Sequence, residues 1–230
     1  MEIDVTILMP CLNEEKTIKK CIRDAYKFLN ENHINGEILI VDNGSTDNSI
    51  NLIKQENARL VKCSNKGYGN ALRYGFEKSL GKYIIMSDCD ASYDLSNLLE
   101  FINLLDEEYD LVMGNRFTGI IEKGAMPFLN KYIGNPLLSK FAKLMFPCQI
   151  NDFHSGLRAF RRDKILKLNL KSSGMELASE MVIKCVKNNY KLIEIPINLL
   201  NNHVNRKPHL RPFRDGIRHV KLIIKEKINL

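Results

Sequence analysis

The sequence predicts an α/β fold in which helices cover both faces of a mostly parallel sheet. Through the first half of the 230 residues, short apolar runs alternate with stretches of helical periodicity. This alternation is typical of parallel sheets joined by crossover helices. A polar cluster follows each apolar run, whereas chance would scatter such clusters over both ends of the sheet. Ligands of these sheets bind at the carboxyl ends of the strands, so we expect a binding site there.

The alternation assigns the individual elements. Strands are predicted at 5–9, 37–41, 58–63, 83–86, 110–113 and 192–195. Helices are predicted at 14–32, 69–80, 95–105, 128–146, 175–188 and 214–227. Ser45 is expected to cap a further helix, because serine is a favoured N-cap residue. The helix at 128–146 is expected to be interrupted near Pro136, because proline removes a backbone donor.

Composition limits where the chain can act. No apolar run reaches the roughly 18 residues of a membrane-spanning helix. Glu2 and Asp4 occupy the place where a secretory signal would be basic. The six cysteines are scattered without a C-x-x-C pair, which indicates buried thiols in a reducing cytoplasm and argues against a disulfide framework or a zinc site. We therefore expect a cytoplasmic protein.

The end of the chain differs from the rest in charge. Residues 206–230 contain eight basic and two acidic residues, and so carry six of the seven net positive charges. One side of the predicted helix is apolar, at Ile217, Val220, Ile224 and Ile228. A basic amphipathic extension of this kind, following a domain at 1–205, predicts binding to an anionic membrane surface. The alternative is that the stripe packs on the domain and the charges face water.

Two carboxylates follow the strand at 83–86. Alternate side chains of an extended chain point the same way, so Asp88 and Asp90 can present oxygens to one divalent cation. A cation with so few protein ligands needs oxygens from elsewhere, typically the phosphates of a nucleotide. Mg²⁺ or Mn²⁺ is the expected cofactor, and the alternative is a solvated Asp-rich turn.

The order of the polar clusters resembles a known family. The chain reads P-x-x-N-E at 10–14, V-D-N-G-S-T-D at 41–47, G-x-G-x-A at 67–71, D-x-D at 88–90 and G-x-R at 114–116. This series is similar to the family 2 glycosyltransferases of the GT-A fold. Further stretches, D-F-H-S-G-L-R at 152–158 and G-M-E-L-A-S-E-M at 174–181, resemble the branch of polyprenyl-phosphate (dolichyl-phosphate) mannose and glucose synthases.

The resemblance covers almost the whole chain, with two departures. Asn43 stands where the family usually has a second aspartate, and the absence of tryptophan excludes the Q-x-x-R-W motif of processive polysaccharide synthases. The resemblance implies a Rossmann-like nucleotide-binding half at 1–116 and an acceptor-binding half at 117–205.

The resemblance also implies residues that bind the nucleotide sugar: Pro10, Leu12, Asn13, Glu14, Asp42, Asn43, Gly67, Gly69, Asp88 and Cys89. Asp42 would accept the N–H of a uracil or guanine ring, and its alternative role is to cap a helix. Gly67 and Gly69 would let the backbone approach the nucleotide closely, and their alternative is a simple turn.

A second group of residues would act on the acceptor. Arg116 and Arg158, with a further hydrogen bond from Ser155, would bind its phosphate or, as the alternative, that of the donor, because a guanidinium group matches phosphate oxygens in two-pronged contacts. The alternative for either arginine is a surface ion pair. Asp152 is the candidate catalytic carboxylate beside these arginines. It would be the general base for a hydroxyl acceptor, or would orient the arginines for an acceptor that is already anionic. Glu176 and Glu180, four residues apart on one helix, would support the site from behind.

The sequence therefore predicts a hexosyltransferase. It would move a hexose, from a UDP-sugar in preference to GDP-mannose, to a polyprenyl phosphate at the cytoplasmic face of the membrane. The resemblance implies inversion at the anomeric carbon. One alternative is the same fold acting on a soluble or protein-linked hydroxyl, and another is a non-catalytic binder of anionic surfaces. No nucleic-acid partner is expected, and the oligomeric state is left open.

Overall fold

The computed structural model describes residues 3–202 and 211–229. Its sheet has seven strands: β1 (Val5–Cys11), β2 (Gly36–Asp42), β3 (Arg59–Lys62), β4 (Tyr83–Met86), β5 (Leu111–Asn115), β6 (Arg158–Arg161) and β7 (Leu192–Pro196). Their spatial order is β3-β2-β1-β4-β6-β5-β7. The pairs are parallel except those that β6 makes with β4 and β5. The prediction of a mostly parallel sheet is confirmed.

Among the described residues, eight α-helices surround the sheet: α1 (Ile18–Glu31), α2 (Ser49–Ile53), α3 (Tyr68–Lys78), α4 (Leu99–Asp106), α5 (Asn135–Met145), α6 (Arg162–Lys167), α7 (Leu177–Lys187) and α8 (Pro212–Ile228). A π-helical segment, Asn130–Gly134, runs directly into α5. Across the part of the chain that the structure describes, no helix combines the length and apolar character needed to cross a bilayer.

The hydrophobic core lies on both faces of the sheet. Successive residues of β1 point to opposite faces. Ile7 and Met9 join the core beneath α1, whereas Leu8 joins the core beneath α3. The apolar stripe of α1 is buried as its periodicity predicts. The six cysteines are free thiols, of which only Cys148 is partly exposed, so the expectation of buried thiols holds for the other five.

Strand β6 was not predicted, because its four residues begin and end with arginine and show no clear apolar pattern. It lies antiparallel between β4 and β5, and its first residue, Arg158, pairs with Met86 and Met113. An antiparallel strand enters the sheet at the edge where its neighbours end. The polar loop at 152–158 is therefore carried to the carboxyl ends of β4 and β5.

Of two local predictions about helix ends, one was wrong. Ser45 does not cap α2, which begins after Asn48; instead the Ser45 hydroxyl accepts the Asn13 N–H at 3.0 Å. The chain turns back toward Asn13 because both Asp42 carboxylate oxygens accept N–H groups of residues 44 and 45. The interruption predicted near Pro136 is present, because the π-helical segment ends at Gly134 and α5 begins at Asn135. Pro136 itself lies in the first turn of α5, where a proline is tolerated.

Helix α8 packs against α5 and α7 through a side other than its apolar stripe. Its buried residues are Asp215, His219 and Ile223, which recur every four residues along one face. The apolar stripe predicted from the sequence points away from that face, and its members Ile217, Ile224 and Ile228 are exposed. The alternative in which the stripe packs on the domain is therefore not what the structure shows.

Candidate active site

A polar cleft of about 770 Å³ lies at the carboxyl ends of the central strands. Of the seventeen site residues predicted from the sequence, eleven line it: Pro10, Leu12, Glu14, Asn43, Gly67, Asp88, Cys89, Asp90, Arg116, Ser155 and Arg158. The other six are not among the lining residues: Asn13, Asp42, Gly69, Asp152, Glu176 and Glu180. The strand ends thus bring most of the predicted residues together.

The carboxylate pair follows β4. Asp88 accepts a hydrogen bond from the Tyr68 hydroxyl at 2.8 Å, and Asp90 accepts the N–H and the hydroxyl of Ser92. Burial and the nearby Asp88 hold the pKa of Tyr68 well above its ordinary value, so the phenol stays a donor. Within the described residues, no group of three His, Cys, Asp or Glu side chains is placed to hold a metal ion. A divalent cation at this oxygen-only pair would need further oxygens from a ligand.

A glycine allows the 152–158 loop to reach Asp88. A Cβ atom at Gly156 would lie 2.2 Å from the Asp88 Oδ2, a distance that real Cβ atoms do not reach. The Gly156 N–H donates to the Tyr93 hydroxyl at 2.8 Å, and burial raises the pKa of Tyr93 to about 12. Any larger residue at 156 would displace the Asp88 carboxylate or the loop itself.

Arg116 and Asp152 form a buried, two-pronged ion pair. The Arg116 Nε and Nη2 donate to the two Asp152 carboxylate oxygens at 2.7 and 2.8 Å. Burial lowers the pKa of Arg116 but the Asp152 carboxylate raises it, and the carboxylate prevails. Asp152 is 0% exposed and also accepts the N–H groups of Arg116 and His154. With both oxygens occupied, Asp152 is placed to orient Arg116.

Arg158 is surrounded differently. Its side chain is 0% exposed in total yet contributes to the cleft wall. Its nitrogens donate to the carbonyl oxygens of Phe153, Ser155 and Ala178. Among the described residues it forms no ion pair, and burial lowers the pKa of its guanidinium. A buried cation without a neutralising carboxylate is costly unless an anion completes it.

Asn43 links the loops that follow β2 and β3 at one side of the cleft. Its amide nitrogen donates to the carbonyl oxygens of Cys63 and Asn65 at 3.2 and 2.8 Å, and its Oδ1 accepts the Gly67 N–H at 2.7 Å. An aspartate could not donate to the two carbonyls. The departure from the usual aspartate therefore has a structural use here.

The two glycines after β3 allow the chain at 67–69 to pack closely against the backbone at 172–174. A Cβ atom on Gly67 would lie 2.2 Å from the Ser173 carbonyl oxygen, and one on Gly69 would lie 2.5 Å from the Ser172 carbonyl oxygen. Gly67 also has a φ of 128°, in the region that favours glycine. Glu180 holds the same segment from the other side, because its carboxylate accepts the N–H groups of Lys171 and Ser172 at 2.8 and 2.7 Å.

Helix α8 closes one side of the cleft, which the sequence did not predict. Arg218 donates to the Glu176 Oε1 at 2.7 Å, and the Glu176 Oε2 is buried with no hydrogen-bond partner among the described residues. The His219 Nδ1 lies 2.7 Å from the Ser179 hydroxyl, and the rings of His219 and His154 meet edge to face with centroids 4.7 Å apart. Polar contacts therefore hold α8 in place.

Several cleft residues escaped the sequence analysis. Tyr68 and Tyr93 line the cleft, together with Arg214 and Arg218 of α8 and Arg211, which directly precedes that helix. Tyr68 stands between the two glycines of a motif, and Tyr93 closely follows the carboxylate pair. Their places in or beside these motifs could have identified both tyrosines as site residues. The arginines belong to the basic end of the chain, whose charge the sequence analysis assigned to an anionic membrane surface or, as the alternative, to a helix face in water.

The sheet and its polar cleft define the class of the protein, a glycosyltransferase of the GT-A fold. The family that the motifs predicted is confirmed as well. The chain belongs to glycosyl transferase family 2, whose family model matches residues 6–168.

Two relatives indicate the branch of the family. The chain is 36% identical over 221 residues to the low-salt glycan biosynthesis hexosyltransferase Agl6 of Haloferax volcanii, covering 96% of this chain and 53% of that protein. It is 28% identical over 224 residues to the dolichyl-phosphate hexose transferase of the same organism, covering 96% and 93%. The chain thus spans about half the length of the first relative and nearly all of the second. The branch suggested by the motifs is confirmed.

A solved structure agrees in fold. The glucosyl-3-phosphoglycerate synthase of Mycobacterium tuberculosis, in complex with Mn²⁺, UDP-glucose and phosphoglyceric acid, superposes with a TM-score of 0.74. The match covers 98% of this chain and 80% of that one at 18% identity, so it supports the fold alone.

Proposed function

We propose that the protein transfers a hexose from a nucleoside-diphosphate sugar, with UDP favoured, to a polyprenyl phosphate with inversion. Arg158 is the observation that carries this proposal. It is a buried guanidinium in the cleft wall, and within the described residues no carboxylate is paired with it. An anionic acceptor phosphate, gathered by Arg116, Ser155 and Arg158, would supply the missing charge.

The environment of Asp152 favours an acceptor that is already anionic. A hydroxyl acceptor needs a base that faces the cleft. Asp152 is fully buried and its two oxygens are bound by Arg116. A phosphate oxygen needs little deprotonation before it attacks the anomeric carbon, so the orienting role of Asp152 suffices. The C–O bond to the diphosphate breaks on the opposite face, and the nucleoside diphosphate leaves.

Asp88 and Asp90 would hold Mg²⁺ or Mn²⁺ against the diphosphate. Such a cation neutralises the charge that builds on the leaving group. The Tyr68 hydroxyl and the N–H of Ser92 fix the two carboxylates, and Gly156 leaves room for Asp88. Asn43 and the residues after β1 would hold the nucleotide at the other end of the cleft.

The same proposal places the protein at the cytoplasmic face of a membrane. The outward apolar stripe of α8 is flanked by Lys221 and Lys225, which are exposed. A helix that buries polar residues and exposes apolar ones suits an interface between water and acyl chains. The acceptor lipid would lie in that interface, next to the cleft that α8 helps to form.

The test is the release of nucleoside diphosphate from UDP-hexoses and GDP-mannose, with Mn²⁺ and with or without added polyprenyl phosphate. We expect release to depend on the lipid phosphate. Asp90→Ala should lower kcat on the order of a hundredfold or more, as losing one charge-stabilising group does elsewhere. Asp94→Ala, an exposed carboxylate nearby, is the matched control.

Three outcomes would count against the proposal. Wild-type turnover by Asp90→Ala would remove the metal assignment. Release that depends on a soluble hydroxyl acceptor would favour the rival acceptor. No release with any donor would favour a binder of anionic surfaces.

A further inference from the structure

Four polar side chains form a continuous row from α5 to α8. They are Ser139 of α5, His154 of the 152–158 loop, Ser179 of α7 and His219 of α8. The Ser139 hydroxyl lies 3.4 Å from the His154 Nδ1. The Ser179 hydroxyl lies 3.3 Å from the His154 Nε2 and 2.7 Å from the His219 Nδ1. We call this set the Ser–His row. Both serines and His219 are buried, so each hydrogen in the row needs an acceptor within it.

A backbone group fixes the direction of the first hydrogen bonds in the row. The Phe153 N–H can only donate, and it does so to the Ser139 hydroxyl oxygen at 3.3 Å. Within the described residues, the one acceptor in reach of the Ser139 proton is the His154 Nδ1. Burial lowers the pKa of His154 well below its ordinary value, so the ring is neutral. A neutral imidazole that accepts at Nδ1 carries its proton at Nε2, and His154 therefore donates to Ser179.

The same reasoning determines the proton position on His219. Ser179 is 0% exposed and accepts from His154, which leaves its own proton for the His219 Nδ1, its other partner among the described residues. Burial lowers the pKa of His219 to about 4, so this ring is also neutral at pH 7. Because its Nδ1 accepts, the single N–H of His219 must be at Nε2.

The His219 Nε2 opens into the cleft. In the part of the chain that the structure describes, the buried polar side-chain atoms without a hydrogen-bond partner are the Arg162 Nε and the Glu176 Oε2. The His219 Nε2 has no partner among these residues either, yet it is not one of the buried atoms, so solvent reaches it. Since His219 lines the cleft, the Ser–His row ends in an N–H group on the substrate side.

Arg158 lies on the same stretch of the cleft wall. Its Nη1 donates to the carbonyl oxygen of Ala178 at 3.2 Å, one residue before the serine that holds His219. Its Nη2 donates to the carbonyl oxygen of Phe153 at 3.3 Å, one residue before His154. The guanidinium thus contacts the backbone on both sides of the Ser–His row. An anion that neutralises Arg158 would therefore lie beside the end of the row.

We propose that His219 binds the acceptor phosphate, to which its Nε2–H donates a hydrogen bond while Arg158 supplies the charge. The inference rests on the proposed function, since it takes the anion to be the phosphate of the acceptor. A neutral N–H adds a directed hydrogen bond to the anion without placing another cation in the wall. Because His219 is on α8, the phosphate site is complete only when this helix is packed against α7.

The first test determines the tautomer directly. The full chain, isotope-labelled at histidine nitrogen, is studied by proton–nitrogen correlation NMR at pH 7 without substrate. His219 should show the pattern of a neutral ring with its proton on Nε2, and loss of these signals in His219→Gln assigns them. Addition of inorganic phosphate should shift the Nε2–H resonance. A proton on Nδ1, or a charged ring, would overturn the proposal.

The second test compares two substitutions that keep different ring positions. Glutamine places its amide nitrogen near the position of Nε2, whereas asparagine places its nitrogen near that of Nδ1. In calorimetric titration with inorganic phosphate, His219→Asn should bind about tenfold more weakly than wild type, because a hydrogen bond to a charged group is lost. His219→Gln should restore most of this loss. His33→Asn, at an exposed histidine outside the cleft lining, is the matched control and should bind like wild type.

Equal phosphate affinities of His219→Gln and His219→Asn, both with cooperative thermal melts, would contradict the proposal. So would a loss by His219→Asn in the binding of UDP with Mn²⁺ but not of phosphate, because the contact would then belong to the donor. Neither test contains a donor sugar or a lipid. A failure to transfer hexose to polyprenyl phosphate would thus refute the proposed function and leave phosphate binding by His219 standing.

Discussion

Helices α1 and α8 are both amphipathic, yet they face the rest of the molecule in opposite ways. In α1 the apolar stripe from Ile18 to Leu29 is buried. In α8 the buried residues are Asp215, His219 and one apolar residue, Ile223, and the apolar stripe faces outward. The periodicity of apolar residues thus predicts that a helix forms, but it does not predict which side of the helix is buried. An outward apolar side indicates that something other than water belongs there.

The largest expected effect tests this contrast with one substitution in each helix. Phe28→Ala, at a side chain 1% exposed, should lower the free energy of unfolding by about 3–5 kcal/mol, because it leaves a cavity. Phe213→Ala, at a side chain 85% exposed, should change it by less than about 0.5 kcal/mol. Urea unfolding followed by circular dichroism measures both. Comparable losses would mean that the outer side of α8 is covered in the free protein.

A second prediction uses pH, because the α8 contact is polar and can titrate. Burial, more than the neighbouring charges, lowers the pKa of His219 from its ordinary 6.5 to about 4. The unfolded chain binds a proton below pH 6.5, whereas the folded chain does so only near 4. The free energy of unfolding should therefore fall as the pH drops from 6.5 to 4, by up to about 3 kcal/mol.

The control for this prediction is His219→Asn, which keeps a polar group near Ser179 but does not titrate. Urea titrations of both proteins at intervals from pH 7 to pH 4 should show a steeper decline for wild type. Parallel curves would mean that His219 is not buried as a neutral ring.

The smallest effect compares adjacent residues. Ile223→Val should cost about 0.5–1.5 kcal/mol, because Ile223 is 0% exposed. Ile224→Val removes the same methylene from an exposed side chain and should fall within about 0.5 kcal/mol of wild type. The difference between the two unfolding free energies locates the buried side of α8 to within one residue. A reversed order would place the helix a quarter turn away.

Much of the sheet could be predicted because β1, β2 and β4 are apolar runs followed by polar residues. Strand β6 could not, since two of its four residues are arginines and its place depends on pairing with distant strands. Most of the cleft followed from the same rule, because ligand-binding residues sit after strand ends. The share of α8 in the cleft could not be predicted. Its orientation depends on Arg218 meeting Glu176 and His219 meeting Ser179, contacts across 42 and 40 residues.

The antiparallel insertion of β6 has a consequence for synthesis on the ribosome. Strands β1 to β4 can pair as soon as they emerge, because they bond to one another. Strand β5 pairs with β6 and β7, so its backbone groups wait until residues up to 161 and then 196 have been made. During that interval the apolar segment Leu111–Asn115 is an unpaired strand with exposed backbone groups of the kind that favours aggregation. A nascent chain stalled after residue 116 should therefore protect β1 to β4 from protease while leaving β5 open to cleavage.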